Sequence, residues 1–525
     1  MISNKKNYFF TLFTGFGGMV FSTIMTLITV PISLNYWKTE RYGIWVLLTS
    51  ALIYLGMTNL GLNSSASLLM AKNPKIRDKI KILKRSLILL LFSITVIFIA
   101  FLVLNLITRD WINLIGKIPE TLKSETFEAC IVLVVFYLLS LPFSLLATVY
   151  NGFQKLYIEN VFSVVLSLIN FLVLVFIIIL KGNLISYSIV WGSTLVVFNL
   201  IKFLYFYYFV YRKIPEEESL AAGSNGLETE YRTIFVTGIR FFFIGIAAMV
   251  VWNSDIFIIS NFINIKSVPS YFVTIKLFTI FFVVIFQING SIMSVLAKEC
   301  GNNNWVWINS VYGNLLAFIS IIGGGCWIVG VLFFRDFVTI WAGSENYVGL
   351  LTVIAFGGYA YLLSMVNLNS GVVYALNYSR NAPYVAWCEA LVKIGVSIIV
   401  IKYFGIVGVA VGSLLGSLCA PSWVLPIWIR KRSEGKLVYD FPFLKKHFLT
   451  VILPCLISSV LIQVFISTMV SRLLCGVMIV GLYLLLSYVT LPVTYKAYFF
   501  RYANEALKRI GITGYNLRVL NEEVK

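Results

Sequence analysis

The chain has 525 residues, of which 59% are hydrophobic and 12% charged, and it carries a net charge of +19 at pH 7. A soluble domain holds about 25% charged residues, so a soluble globule is excluded. The same basic balance in a soluble chain would point to nucleic acid, but here the cations lie in short loops between apolar runs, which points to a membrane.

Apolar runs of roughly 20 residues or more, each able to cross a hydrocarbon layer of about 30 Å as a helix, recur along the whole length. The first, Tyr8 to Leu34, follows Lys5 and Lys6 as a signal peptide would. It is too long for an h-region and ends without a small-x-small cleavage site, so it reads as an uncleaved first span. Five more follow at about 43–70, 86–108, 129–151, 160–180 and 187–211. A polar stretch, Arg212 to Arg232, contains Glu216-Glu217-Glu218 and Gly223-Ser224-Asn225-Gly226, a flexible linker composition. Spans seven to twelve fall at about 234–262, 269–297, 305–334, 348–376, 384–401 and 406–429, and a last pair at 448–469 and 473–494. The expected fold class is therefore an all-α polytopic membrane protein of about 14 transmembrane helices.

Lysine and arginine asymmetry sets the orientation, because cytoplasmic loops retain positive charge. With both ends placed inside, 27 of the 41 basic residues fall in inner segments and 10 in outer loops. The other four, Lys202, Arg240, Lys276 and Lys393, fall within spans. Two inner clusters, one from Lys72 to Arg85 and one from Arg430 to Lys446, have the composition to grip anionic membrane lipids, although topology determination alone accounts for them. Seven scattered cysteines without a C-x-x-C spacing and a single histidine, His447, give no disulfide framework and no metal site.

The chain also repeats itself. Leu69-Met70-Ala71-Lys72 closing span two resembles Val295-Leu296-Ala297-Lys298 closing span eight, and Gly192-Ser193 resembles Gly412-Ser413. With equal span counts, these matches predict two six-helix lobes related by a pseudo-two-fold axis along the membrane normal, residues 1–211 and 234–429, joined by a cytoplasmic linker at 212–233. The basic loop with helices 13 and 14, residues 430–494, and the cytoplasmic tail, 495–525, stand outside the repeat.

A charge near the bilayer centre costs roughly 2.5–3.5 kcal/mol on the insertion scale, so such residues face a partner or a wet cavity. Asp255 in span seven and Lys276 in span eight both lie about seven residues, or roughly 10 Å, below the outer surface and can meet across a helical hairpin. Arg240 falls within about 60° of the face of Asp255. Either these residues form an ion or anionic-substrate site, or they form a packing ion pair. Glu389 and Lys393 are spaced i,i+4 in the favourable order and can neutralise each other. Lys202 is expected to snorkel to the inner surface. Among neutral polar residues, Asn59, Asn63 and Gln287 are candidates to line a hydrated path, with interhelical bonding as the alternative. Trp37, Trp45, Trp111, Trp191, Trp341 and Trp428 lie near predicted membrane edges and read as belt residues. No phosphate-binding G-x-x-x-x-G-K-[ST] loop, nucleophile with adjacent base or metal cluster occurs in the sequence, so no enzyme activity and no cofactor are expected.

Several stretches resemble bacterial polysaccharide flippases of the multidrug/oligosaccharidyl-lipid/polysaccharide exporter (MOP) superfamily. They are Pro31 through Val46, Tyr54-Leu-Gly-Met-Thr-Asn-Leu-Gly-Leu-Asn63, Asn253 to Ser260, Ile340 to Tyr347 and Gly405 to Ser413. The resemblance implies a two-lobed transporter that moves undecaprenyl-pyrophosphate-linked glycan, such as an O-antigen repeat unit, from the inner to the outer leaflet of the bacterial inner membrane. It further implies cationic cavity residues, a role that Arg240, Lys276 and Lys393 fit, and an acidic residue coupled to H+ or Na+, which Asp255 or Glu389 fits. Polysaccharide polymerase machinery is an implied partner. The rivals are a drug/cation antiporter of the same superfamily, which needs an acidic cavity, and a membrane glycosyltransferase, which needs a larger outer loop.

Overall fold

The computed structural model describes residues 2–72, 76–108, 111–152, 155–208, 231–376, 378, 381–466, 468–492 and 495–496. Among these, twelve helical stretches are long and apolar enough to cross a membrane. The first of them, Phe13–Asn59, has 47 residues, about twice the length that one bilayer crossing needs. It lies mostly in α1 (Ile2–Leu55), which breaks at Lys38, where φ is 60°. Counting that helix as two passes and adding the 35-residue helix Ser267–Gly301 accommodates the expected fourteen. Helices dominate for a physical reason: hydrocarbon offers no partner to a backbone N–H or C=O, so each segment must satisfy its own.

By contacts the chain divides into two compact units, residues 1–273 and 274–525. The first unit contains α1, α2 (Leu62–Lys72), α3 (Ile76–Ile107), α4 (Glu120–Ser140), α5 (Leu145–Gly152), α6 (Leu156–Ile179), α7 (Leu184–Phe206) and α8 (Tyr231–Phe262). Most of the expected linker, 212–230 of 212–233, lies outside the described residues. Span seven, α8, packs within the first unit.

The first unit is held by polar contacts as well as apolar packing. Asn160 on α6 donates to the Thr11 carbonyl at 3.1 Å and to Thr14 at 3.2 Å on α1. Asn183 caps α7 by accepting the Ser186 N–H at 2.9 Å, which satisfies one of the free donors of a helix start. Lys202 does not snorkel: it is buried and pairs with Glu159 at 2.6 Å. The pair lets both charges stay inside, where a lone one would be costly. Trp37, Trp45 and Trp191 pack on one another, and Trp37 is buried. Their rings gather round Tyr187, with centroids 4.7 and 4.3 Å from it for Trp37 and Trp45, and Trp191 lies 5.7 Å from Trp45. Hydropathy places a tryptophan at a depth but does not say which side of its helix faces inward.

α9 (Ser267–Gly301) leads into the second unit, which contains α10 (Trp305–Trp341), α11 (Leu350–Ala375), α12 (Ala382–Phe404), α13 (Ile406–Cys419), α14 (Pro421–Arg432), α15 (Phe441–His447), α16 (Leu453–Phe465) and α17 (Met469–Thr490). The expected helices 13 and 14 correspond to α15 through α17. They are bound along α10 by a series of polar contacts. Arg472 pairs with Asp336 at 2.6 Å, Gln463 donates to the Leu332 carbonyl, and Tyr483 donates to the Ile321 carbonyl at 2.6 Å. Farther along, His447 Nδ1 lies 3.0 Å from Ser320 Oγ and its Nε2 lies 3.1 Å from Ser487 Oγ. The appended hairpin is therefore an integral layer of the second unit.

Candidate functional site

Span two does not run unbroken. α1 ends at Leu55, a 3-10 turn covers Gly56–Asn59, and Leu60 and Gly61 take left-handed φ of 46° and 71° before α2 begins. The local sequence favours the break. Glycine enters the left-handed region without a Cβ penalty, and Asn59 Oδ1 accepts the Gly61 N–H at 2.8 Å, an Asx-type turn. The exposed backbone groups of the break are re-satisfied from within the unit. Leu60 N–H donates to Met57 O at 2.8 Å, and Ser93 Oγ donates to the Thr58 carbonyl at 2.5 Å.

Span four breaks at the same place. Pro142 removes an N–H, the chain turns as a 3-10 segment over Leu141–Ser144, and α5 resumes at Leu145. The two breaks are joined: Asn63 Nδ2 donates to Ser144 Oγ at 3.0 Å, and Thr148 Oγ1 donates to the Asn63 carbonyl at 3.1 Å. Asn63 Oδ1 is buried with no partner among the described residues. Irregular backbone at membrane depth is stable only where protein buries it or water lines it, and broken spans mark substrate and ion sites in transporters.

Span seven closes one side of this break. Ser65 Oγ on α2 donates to the Ile234 carbonyl on α8 at 2.8 Å. The backbones of Gly61 and Gly238 touch: a Cβ on Gly238 would lie 2.9 Å from the Leu60 carbonyl oxygen. Near the other end of α8, Ser260 Oγ donates to the Ile115 carbonyl at 3.2 Å, and Lys117 N–H donates to the Ser260 carbonyl at 3.2 Å.

The candidate residues fall into distinct settings on this frame. Asn59 and Asn63 belong to the break itself. Arg240 sits two residues past Gly238, about 200° round α8 at 100° per residue, and is exposed. Asp255, on the same helix, is 1% exposed and accepts the hydroxyl hydrogen of Tyr271. In the second unit, Lys276 is half-buried on α9, and the Gln287 side chain lies outside the described residues. Glu389 and Lys393 are both buried on α12. Ser417 Oγ donates to Glu389 Oε1 at 2.5 Å, and Lys393 Nζ lies 5.9 Å from the centre of the Tyr359 ring.

Sequence reasoning named the polar residues of the break but not the break, and it missed Ser65, Ser144, Gly61 and Gly238 as its supports. The run Gly56-Met-Thr-Asn-Leu-Gly61, with a glycine at each end and an asparagine inside, was the available signal. Among the described residues no group of three or more histidine, cysteine or acidic side chains is placed to hold a metal ion.

A multidrug-resistance transporter of the MATE family in an inward-facing conformation superposes with a TM-score of 0.66 at 16% identity, covering 79% of this chain and 95% of its own. The lipid II flippase MurJ in an inward closed conformation gives 0.65 at 13% identity, with 90% and 98% covered. The chain thus shares the fold of these two transporters. No family model matches the sequence. A candidate O-antigen transporter of Salmonella typhimurium is 23% identical over 214 residues, which are 40% of this chain and 49% of that protein. The match thus spans about half the length of that curated relative. The chain is a multi-pass membrane protein with the fold of these transporters.

Proposed function

We propose that the protein flips undecaprenyl-pyrophosphate-linked oligosaccharide, an O-antigen or related polysaccharide repeat unit, from the cytoplasmic to the outer leaflet of the inner membrane by alternating access. The observation that carries this reading is the broken span two, whose turn is built from glycine and asparagine within the span and packed against span seven. A polar headgroup crossing hydrocarbon needs such hydrated, hydrogen-bonding backbone and side chains, while its lipid tail stays in the bilayer. The positive balance of the membrane-embedded charges suits a pyrophosphate better than a cationic drug. In this reading the cationic side chains are drawn from Arg240, Lys276 and Lys393, the residue that takes up H+ or Na+ is Asp255 or Glu389, both termini are cytoplasmic, and anionic lipids and polymerase machinery are further partners. The likeness to the candidate O-antigen transporter of Salmonella typhimurium supports the choice of cargo.

The test is reconstitution. Proteoliposomes loaded in one leaflet with a fluorescent short-chain polyprenyl-pyrophosphate glycan report flipping by loss of protection from an added glycosidase. Transfer by the intact protein is expected, and Arg240→Ala is expected to lower its rate about tenfold without changing thermal stability, since the side chain is exposed. Export of ethidium-type cations without movement of the lipid-linked glycan would reject this reading in favour of the drug antiporter.

A further inference from the structure

Carboxylates of the membrane helices recur beside a built-in cation. Glu159 has Lys202 at 2.6 Å and Asp336 has Arg472 at 2.6 Å. The third is Glu389, whose neighbouring charge is Lys393, one turn farther along α12. Its setting is the most enclosed of the three.

Glu389, Lys393, Ser397 and Ile401 recur every four residues and form one stripe on α12. Against that stripe α13 sets Gly416, Gly412 and Gly408, also four residues apart. The backbones approach so closely that a Cβ on Gly416 would lie 3.0 Å from both the Glu389 carbonyl oxygen and Lys393 Cβ, and one on Gly412 would lie 2.8 Å from the Lys393 carbonyl. Small residues at such spacing are how membrane helices bring their backbones together. Lys393 is 1% exposed, with its ammonium near the Tyr359 ring, and Glu389 is 8% exposed, with one oxygen held by Ser417.

A dissociable cation at Glu389 would have to enter a packed interface and share one carboxylate with a lysine that cannot leave. Two positive charges beside one negative are unfavourable in a medium of low dielectric constant. We propose that Lys393 is a tethered counter-cation for Glu389, so that Glu389 binds no transported ion and the ion taken up during the cycle is bound elsewhere. This deepens the proposed function by removing one of its two coupling candidates, and it also takes Lys393 out of the substrate path. It rests on that reading only for the word coupling; the pairing itself is tested without any transport.

The experiment measures thermal unfolding of the full-length protein in nanodiscs by tryptophan fluorescence, in sodium or choline chloride at equal ionic strength. In the Asp255→Asn background, exchanging choline for sodium is expected to move the melting temperature by less than about 1 °C, because no dissociable site remains at Glu389. Lys393→Met is expected to lower the melting temperature by about 5 °C or more near neutral pH, and adding Glu389→Gln should restore at least half of that loss, since the orphaned charge is then gone. Acidification should restore Lys393→Met in the same way, by protonating the orphaned carboxylate. Should Lys393→Met fail to fold, Glu389→Gln alone serves: its orphaned lysine makes stability rise with pH. A sodium-dependent rise in melting temperature that Glu389→Gln abolishes would overturn the proposal. So would a double variant no more stable than Lys393→Met, or a Glu389→Gln protein whose stability ignores pH.

Discussion

The contact between Gly61 and Gly238 is the structural support of the broken span, and alanine at either position tests it. At Gly238 the new methyl would lie 2.9 Å from the Leu60 carbonyl oxygen and 3.4 Å from Leu62 Cδ2. The first is a backbone atom that cannot swing aside, so the helices must part by several tenths of an ångström. Overpacking of this kind costs about 1–3 kcal/mol. Against it stands the gain from replacing glycine inside a helix, about 1 kcal/mol, so the net loss for Gly238→Ala is about 0–2 kcal/mol. Gly61→Ala meets the Gly238 carbonyl in the same way and must also hold φ at +71°. A left-handed residue other than glycine adds about 1–2 kcal/mol, and no helix gain offsets it, which puts the loss at about 2–5 kcal/mol. Gly17→Ala is the control: a methyl added there would meet nothing within 4 Å, and the helix term alone predicts a gain of up to about 1 kcal/mol. Thermal unfolding in nanodiscs should rank the proteins Gly17→Ala, wild type, Gly238→Ala, Gly61→Ala from most to least stable. The reasoning fails if Gly61→Ala melts with the wild type, or if Gly238→Ala is stabilised as much as Gly17→Ala.

Three further outcomes follow from other contacts. Arg472→Met leaves the largely enclosed Asp336 without its ion-pair partner, so a loss of about 3–5 kcal/mol is expected; adding Asp336→Leu should recover much of it, as read from paired melting curves. His447→Leu removes two buried contacts, to Ser320 and Ser487, at a cost of about 1–3 kcal/mol, and should make the 433–440 loop more sensitive to protease added on its own side of the membrane. Tyr439, in that loop, has its phenol pushed up to about 12 by burial, with Tyr361 adding to the rise. A phenol raised in the folded state gives stability that is complete below its ordinary value near 10 and is lost as the pH climbs toward 12. Tyr439→Phe should therefore lose about 2–3 kcal/mol less than the wild type between those limits, measured by denaturant unfolding across the alkaline range; equal slopes for the two proteins would refute it.

The approximate number of spans, their apolar length and the positions of the loops were legible because hydrocarbon acts on each segment separately. A run of about 20 apolar residues becomes a helix whatever its neighbours do. The membrane-embedded charges were legible for the same reason, since their rarity marks them. Their partners were not. Lys202 was assigned to the surface because its depth favours snorkelling, yet Glu159, 43 residues away, meets it at 2.6 Å. Arg472 was counted as an outer-loop cation, and only the packing of α17 on α10 reveals Asp336 beside it. Glu389 and Lys393 were named as a pair from spacing alone, but the glycine stripe that encloses them belongs to another helix.

The sequence by itself therefore determined that the chain is a helical membrane protein, where its spans lie and which polar residues stand inside them, since each of these depends on local composition against a fixed solvent. Tertiary structure decided that span two is broken at Gly56–Gly61, that spans two, four and seven meet there, and that the last two spans belong to the second unit. Those outcomes depend on which side chains from distant segments satisfy a freed carbonyl or a buried charge, and that pairing is a property of the packed chain, not of any one window of it.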